Sequence, residues 1–240
     1  MHSLTPSDFI TNEKQQTGFR VEITNQEQID KVLEGESTLP IFIMLSGTSE
    51  SGKSTIGNTG LSAGLASRIK YLKVSSDILI DELSSKNVID TLTDMESLDL
   101  VTDEEYARFV DELITRIYIM TSTRGGVSVV ETLKHPRLVS ALKNSPKIRA
   151  LSVYVDANLE SRIDRETIKT GLPREVVAKK VNEKDITKGS LGLEEIRGTA
   201  DILLYNDGSY EEYVEYVKSV LDIFSDHTDI SRIDPVIEYS

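Results

Sequence analysis

Short apolar runs alternate with longer amphipathic stretches along most of this chain. Strand-like runs fall at Ile41–Leu45, Tyr71–Val74, Val127–Val130, Ile148–Val155 and Ile202–Tyr205. Several are continuously apolar rather than alternating, the pattern of strands covered on both faces. Between them, apolar positions recur at helical spacing and predict helices over Lys53–Ser67, Asp77–Lys86, Asp103–Ser122, His135–Lys143, Asn158–Lys169, Pro173–Lys184 and Tyr210–Phe224. Strands separated by helices predict an α/β chain with a parallel sheet and right-handed crossovers. Residues 1–37 read as an appendage. Phe19–Ile23 alternates like a short strand, and Asn25 caps a helix over Gln26–Leu33 that Gly35 ends. Residues 226–240 read as a tail, with Pro235 opposing helix continuation.

Composition narrows the class. In 240 residues, 38% are hydrophobic and 28% charged, and no apolar run approaches membrane-spanning length. The segment Met1 to Gln16 is polar and lacks the apolar core of a secretory signal, so a cytoplasmic location is expected. With no cysteine and three scattered histidines, disulfide, thiolate and structural zinc chemistry are not expected. The formal charge of -13 argues against non-specific nucleic-acid binding. One stretch runs against that trend: between Arg162 and Lys188 basic residues outnumber acidic ones.

The first apolar run leads into Gly47-Thr48-Ser49-Glu50-Ser51-Gly52-Lys53-Ser54-Thr55, which fits G-x-x-x-x-G-K-[ST] at every fixed position. A strand precedes it and a helix follows, which is the context in which the pattern carries meaning. The glycines let the backbone fold around an anion. Successive N–H groups and the helix start then face the phosphates. Lys53 neutralises the outer phosphates and the Ser54 hydroxyl ligates Mg²⁺. The plain alternative is a Gly/Ser-rich turn.

In open α/β sheets ligands bind beyond the carboxyl ends of the strands, so the residues after each run are site candidates. Ser75-Ser76-Asp77 follows the second run; Asp77 is a candidate base or metal-orienting acid, or a helix cap. Glu131 ends the third run as a Walker-B-like carboxylate, or as a capping or salt-bridging residue. Arg137 follows in His135-Pro136-Arg137, facing an anionic acceptor or solvent. Arg162 and Arg165 lie on one helix face at three-residue spacing, suited to gripping phosphate bidentately. Gly171-Leu172-Pro173 then joins two basic helices in the manner of a water-excluding lid over about residues 158–190. Asn206-Asp207-Gly208-Ser209, after the last run, is a turn and helix cap placed to touch an adenine ring.

Taken together, Gly47–Thr55, Tyr154-Val155-Asp156-Ala157 with Arg162 and Arg165, and the run Glu183–Gly189 through Ala200–Ser209 resemble the small-molecule kinases of the P-loop superfamily. The similarity is to the nucleoside monophosphate kinase and dephospho-CoA kinase group, over residues 38–225. It implies a P-loop NTPase three-layer α/β/α sandwich with a five-stranded parallel sheet in the order 2-3-1-4-5 and a helical lid. It implies ATP and Mg²⁺ held by Gly47–Thr55 and Asn206 and Gly208 by the adenine, while the strand-end reading adds Glu131 as a second metal residue. It implies Lys53, Asp77, Arg162 and Arg165 as catalytic residues; the residues themselves suggest an acceptor near Asp77, Arg124, Arg137 and Lys184. Two departures stand out. The usual Arg-Asp of the lid is Lys184-Asp185, and the Thr-Gly-Asp of adenylate kinases is Ser75-Ser76-Asp77.

The expected activity is transfer of the ATP γ-phosphoryl group to a small metabolite, a (deoxy)nucleoside monophosphate or a dephospho-CoA-like nucleotide. GTP stays open as donor. The alternative is a nucleotide-binding regulatory ATPase or switch that signals through residues 1–37.

Overall fold

The computed structural model describes residues 18–82, 102–122, 126–190 and 192–229. In chain order the elements are β1 (Phe19–Ile23), α1 (Gln26–Glu34), β2 (Ile41–Gly47), α2 (Lys53–Ala63), β3 (Ser67–Lys70), α3 (Tyr71–Glu82), α4 (Asp103–Ser122), β4 (Val127–Glu131), α5 (Pro136–Lys143), β5 (Arg149–Asp156), α6 (Leu159–Thr170), α7 (Arg174–Gly189), α8 (Leu193–Thr199), β6 (Ile202–Asn206) and α9 (Tyr210–Asp226). They build one sheet in the order β1-β6-β5-β2-β4-β3. β2 pairs in parallel with β4 and β5 on either side, β4 with β3, and β5 with β6.

β2 is buried along its whole length because helices cover both sheet faces. Phe42 and Met44 face one layer, with Leu113 and Ile117 of α4 and Leu138 of α5. Ile41, Ile43 and Leu45 face the other, with Ile29 of α1, Ile56 of α2 and Val217 and Leu221 of α9. A strand packed on both sides has no reason to alternate. The hairpin of α6 and α7 has a small core of its own, built on Ile163, Val177 and Val181. Among the described residues, no helix is long and apolar enough to cross a membrane.

Two expectations are corrected. The sheet is six-stranded and mixed, because Phe19–Ile23 pairs antiparallel with β6. Its alternate residues Phe19, Val21 and Ile23 pack on the core, while Arg20 lies over the Tyr205 ring at 4.0 Å. The segment set apart as an appendage thus supplies an edge strand of the main sheet. Secondly, the strand expected at Tyr71–Val74 lies earlier, at Ser67–Lys70, and Tyr71 opens a helix. Tyr71, Val74 and Ile78 are buried at helical spacing, whereas Leu72 and Asp77 are exposed. A four-residue run has no periodicity long enough to separate a strand from one buried helical turn. The helix before β3 also stops short of Ser67. Gly64, at φ 72°, caps it by donating its N–H to Gly60 and Leu61 carbonyls.

Two buried charges staple the N-terminal elements to the sheet. Arg149 donates to the carbonyls of Val32, Leu39 and His227, joining α1, the approach to β2 and the end of α9. Asp201 is fully buried and accepts from Ser152 N (2.8 Å), Ser152 Oγ (2.7 Å), Asn25 Nδ2 (3.0 Å) and Lys143 Nζ (2.6 Å). Removing one partner from such a network strands the others in a low-dielectric interior. Asp201→Ala is therefore expected to cost about 3–5 kcal/mol in urea unfolding, the range for breaking a buried ion pair. A loss below about 1 kcal/mol would mean that the network is not a staple.

Candidate phosphate-binding site

The turn from β2 into α2 is held open by close backbone approaches. Gly47 sits at φ 129°, and a Cβ there would lie 2.0 Å from the Val155 carbonyl oxygen of β5. Gly52 sits at φ 108°, and a Cβ there would lie 2.4 Å from Asn206 Nδ2. Glu50, also at positive φ (58°), turns the chain between them. Asn206 Nδ2 donates to Ser51 O at 2.9 Å, and the buried Tyr213 hydroxyl donates to Gly52 O at 3.3 Å. Thr48 Oγ1 donates to Asp156 Oδ1 at 2.9 Å, tying the rising half of the loop to the end of β5. No side chain caps α2, so its first N–H groups stay available to an anion.

Lys53 folds back over this loop. Its Nζ donates to Gly47 O at 3.0 Å, to Ser51 Oγ at 3.2 Å and to Thr48 O. Burial, and next the nearby Lys188, push its pKa down to about 7 against the opposing pull of Glu50 and Asp185. Lys188 is itself lowered to about 8, chiefly by burial, and its Nζ lies 3.4 Å from Gly47 O. Basic side chains thus crowd this loop in an acidic chain, at the expense of the lysines' own charge.

Ser54, exposed at the first turn of α2, has its hydroxyl 3.5 Å from Glu131 Oε2. A hydroxyl and one carboxylate at the edge of a phosphate loop suit Mg²⁺, which keeps several waters and takes its remaining ligands from phosphates. Among the described residues there is no group of three or more His, Cys, Asp or Glu able to hold a metal by itself. Glu131 is not a free ligand. Arg68 grips it through Nε (2.6 Å) and Nη2 (3.1 Å) and reaches Asn58 of α2 at 2.6 Å through Nη1. Arg68 is absent from the sequence reading, because one arginine in a short edge strand carries no motif. Thr132, next in chain, holds φ 71°, an uncommon state for a β-branched residue. The turn is kept by Thr132 and Leu133 N–H groups bonding Leu45 O at 2.9 and 3.1 Å.

The α6–α7 hairpin lies over the loop. Arg162 Nη1 donates to Ser49 O at 3.2 Å and to Asp185 Oδ2 at 2.5 Å, and Asp185 Oδ1 accepts the Ser49 N–H at 3.1 Å. Lys184 and Lys169 hold the Glu50 carboxylate at 3.0 and 3.4 Å. Burial would raise the Glu50 pKa, but these two lysines outweigh it and leave it lowered. Arg165 Nη2 donates to Asn206 O at 2.7 Å, and burial lowers the pKa of its guanidinium. Ser49 Oγ, Arg162 Nε and Arg165 Nη1 are buried without a hydrogen-bond partner. Orphaned donors around a cationic loop are what an anionic ligand would satisfy.

Other sequence candidates lie apart from this cluster. Asp77 sits on the exposed side of α3 in a groove of about 660 Å³ that Arg68, Lys73 and Arg116 also line. Arg137 stacks on Tyr106 at 3.9 Å and pairs with Asp103 at 2.6 Å, at the opposite end of α4 from Arg116. Asp103 and Arg116 are thirteen positions apart on α4, roughly 20 Å along its axis, and Arg137 is not among the residues that line the Asp77 groove. Arg124 lies outside the described residues. Asn206 braces the loop with its side chain, and a Cβ at Gly208 would lie 3.5 Å from the Gly18 backbone, just before β1.

No protein-family model matches the chain, and no curated protein matches it. Solved structures do. The dephospho-CoA kinase from Campylobacter jejuni is 15% identical, with 78% of this chain and 97% of that one aligned at a TM-score of 0.45. A gluconokinase from Sinorhizobium meliloti 1021 is 17% identical over 78% and 95%, with a TM-score of 0.42. The shikimate kinase from Bacteroides thetaiotaomicron is 14% identical over 76% and 97%, with a TM-score of 0.42. The strand, loop and helix described above make this chain a P-loop α/β protein by their own geometry.

Thr132→Gly should relieve the left-handed strain and raise stability by about 1 kcal/mol, read as a higher urea midpoint with unchanged slope. The Lys53 ammonium gives a second expectation. Between its native pKa of about 7 and the ordinary 10.5, the unfolded chain carries the extra proton, so this group makes the empty protein more stable as pH rises through that window. An anion beside Lys53 reverses the shift. Binding of a phosphate chain at pH 8 should therefore take up about one proton, measured by calorimetry in buffers of different ionisation enthalpy.

Proposed function

We propose that this protein is a phosphotransferase of the P-loop kinase class, moving the γ-phosphoryl group of ATP to a small metabolite with the help of Mg²⁺. The observation that carries the reading is the α6–α7 hairpin seated on the loop, with Arg162 on Ser49 and Lys184 on Glu50. Transfer to an acceptor other than water calls for a cover that excludes water, and a basic cover supplies charge to the transferring group as well. We assign the acceptor to the nucleotide class, a (deoxy)nucleoside monophosphate or a dephospho-CoA-like nucleotide, and the reaction to the cytoplasm.

In this reading the loop amides and Lys53 hold the outer phosphates. Arg162 and Arg165 use their unpartnered nitrogens on the transferring group. Ser54 and Glu131 would hold Mg²⁺, which neutralises charge between the phosphates. The acceptor oxygen, an anionic phosphate oxygen or a hydroxyl that gives its proton to Asp77, attacks the γ-phosphorus in line as the bond to the β-phosphate oxygen breaks, and ADP leaves. Catalysis is then mainly positioning and charge stabilisation. Asp77, exposed in the groove beside β3, serves the acceptor side in this scheme rather than the metal.

The test is ADP formation from Mg-ATP against nucleoside monophosphates, dephospho-CoA and sugar acids, with Lys53→Ala as control. One acceptor should raise turnover far above background, and Lys53→Ala should lose at least about 100-fold of it while staying folded. Equal acceptor-independent turnover throughout the panel would support a regulatory ATPase instead. Undiminished transfer by a folded Lys53→Ala protein would remove this loop from the chemistry.

A further inference from the structure

A phosphate loop presents N–H groups and cations to an anion, and in this protein an anion from its own chain is already there. Asp185, on the fourth turn of α7, reaches the loop with both carboxylate oxygens engaged. Oδ1 accepts the Ser49 N–H at 3.1 Å, and Oδ2 accepts Arg162 Nη1 at 2.5 Å. The same guanidinium nitrogen holds Ser49 O at 3.2 Å, so loop amide, carboxylate and arginine close a ring. Asp185 also lies near enough to Lys53 and Lys188 to favour the charged form of each. A carboxylate bonded to a P-loop amide, a lid arginine and two lysine fields meets the surroundings a phosphoryl oxygen would meet.

We propose that Asp185 is a built-in surrogate for phosphate, and that a phosphate-chain ligand binds by displacing it from Ser49 and Arg162. The idea rests on the loop being a phosphate site but not on phosphoryl transfer. The surrogate is imperfect in a way that favours exchange. One carboxylate carries a single charge and leaves Ser49 Oγ, Arg162 Nε and Arg165 Nη1 without partners. A phosphate chain brings more charge and more acceptors, and so satisfies donors that Asp185 cannot reach. Once a phosphate takes the seat, like charge repels the carboxylate. The tie between α7 and the rising loop is then lost, while Lys184 and Lys169 on Glu50 remain. Occupancy of the loop and attachment of the hairpin are therefore coupled through one side chain. In the empty protein the same contact keeps a cluster of buried cations neutralised.

Inorganic pyrophosphate and ADP, titrated by calorimetry, are the probes. Asp185→Ala vacates the seat, and Asp185→Asn keeps the shape but removes the charge. Each should bind pyrophosphate about 10-fold more tightly than the unchanged protein, the scale of one charge-assisted hydrogen bond. Without ligand, each should melt at lower temperature, because the Arg162 charge loses its partner. Glu183→Gln removes the same charge from an exposed site on α7 and should leave affinity unchanged. If the Asp185 variants bind pyrophosphate equally or more weakly, or if Glu183→Gln tightens binding as much, the surrogate idea is overturned. Should Asp185→Ala fail to fold, Asp185→Asn carries the comparison. Pyrophosphate binding tightened by these variants with no acceptor-dependent turnover would sink the kinase reading and leave this inference standing. Absence of pyrophosphate and nucleotide binding in every form would overturn both.

Discussion

Everything at this site depends on keeping backbone N–H groups pointed inward at an anion when the chain would otherwise satisfy them elsewhere. The loop from Gly47 to Lys53 is braced from several sides. The β5 backbone crowds Gly47, Asn206 and Tyr213 hold Ser51 and Gly52, and Asp156 holds Thr48. These braces come from the ends of neighbouring strands and the first turn of α9, so loop geometry is inherited from sheet geometry. The dense packing of β2 between two layers, with Phe42 and Met44 to one side and Ile43 and Leu45 to the other, gives those strand ends their fixed positions.

Electrostatics sets the second constraint. A chain of net charge -13 gathers Lys53, Lys188, Arg162, Arg165 and Lys184 around one loop. Their mutual repulsion is answered by Glu50 and Asp185, which bridge the loop to the hairpin. The same acids that balance the cluster also decide how firmly α6 and α7 sit down. The small core of Ile163, Val177 and Val181 joins α6 to α7, and these charged contacts link the hairpin to the loop. Such contacts weaken with salt and with ligand charge, whereas the two main cores do not.

The Glu131 side of the loop is built differently. Glu131 is aimed by Arg68, which spans from the edge strand β3 to α2, and the strained Thr132 follows at once. Strain of this kind persists only where neighbouring bonds over-determine it, here the two amides on Leu45 O. The N-terminal strand plays a comparable part on the opposite edge. It covers β6 and brings Gly18 against Gly208, and Asp201 and Arg149 tie its end of the molecule to the core.

Local chemistry was enough to read the strand, loop and helix of Gly47–Thr55, because a Gly-rich turn before Lys-Ser has few physical uses between an apolar strand and a helix. It was enough for the helical hairpin as well, since Gly171-Leu172-Pro173 interrupts two basic amphipathic stretches. It was not enough for residues 67–78. There the apolar positions of Tyr71–Val74 fit a strand or a helix turn equally, and burial of Tyr71, Val74 and Ile78 against α4 settled the matter. Nor did the one-dimensional pattern reveal that Phe19–Ile23 would join the main sheet, because edge pairing depends on which strand lies exposed after the others have packed. Asp185 and Arg68 belong to the same category. Arg68 is an ordinary charged residue in sequence, Asp185 is marked there only as half of a lid motif, and each meets Glu131 or Ser49 only when folding brings them together across more than 60 positions of chain.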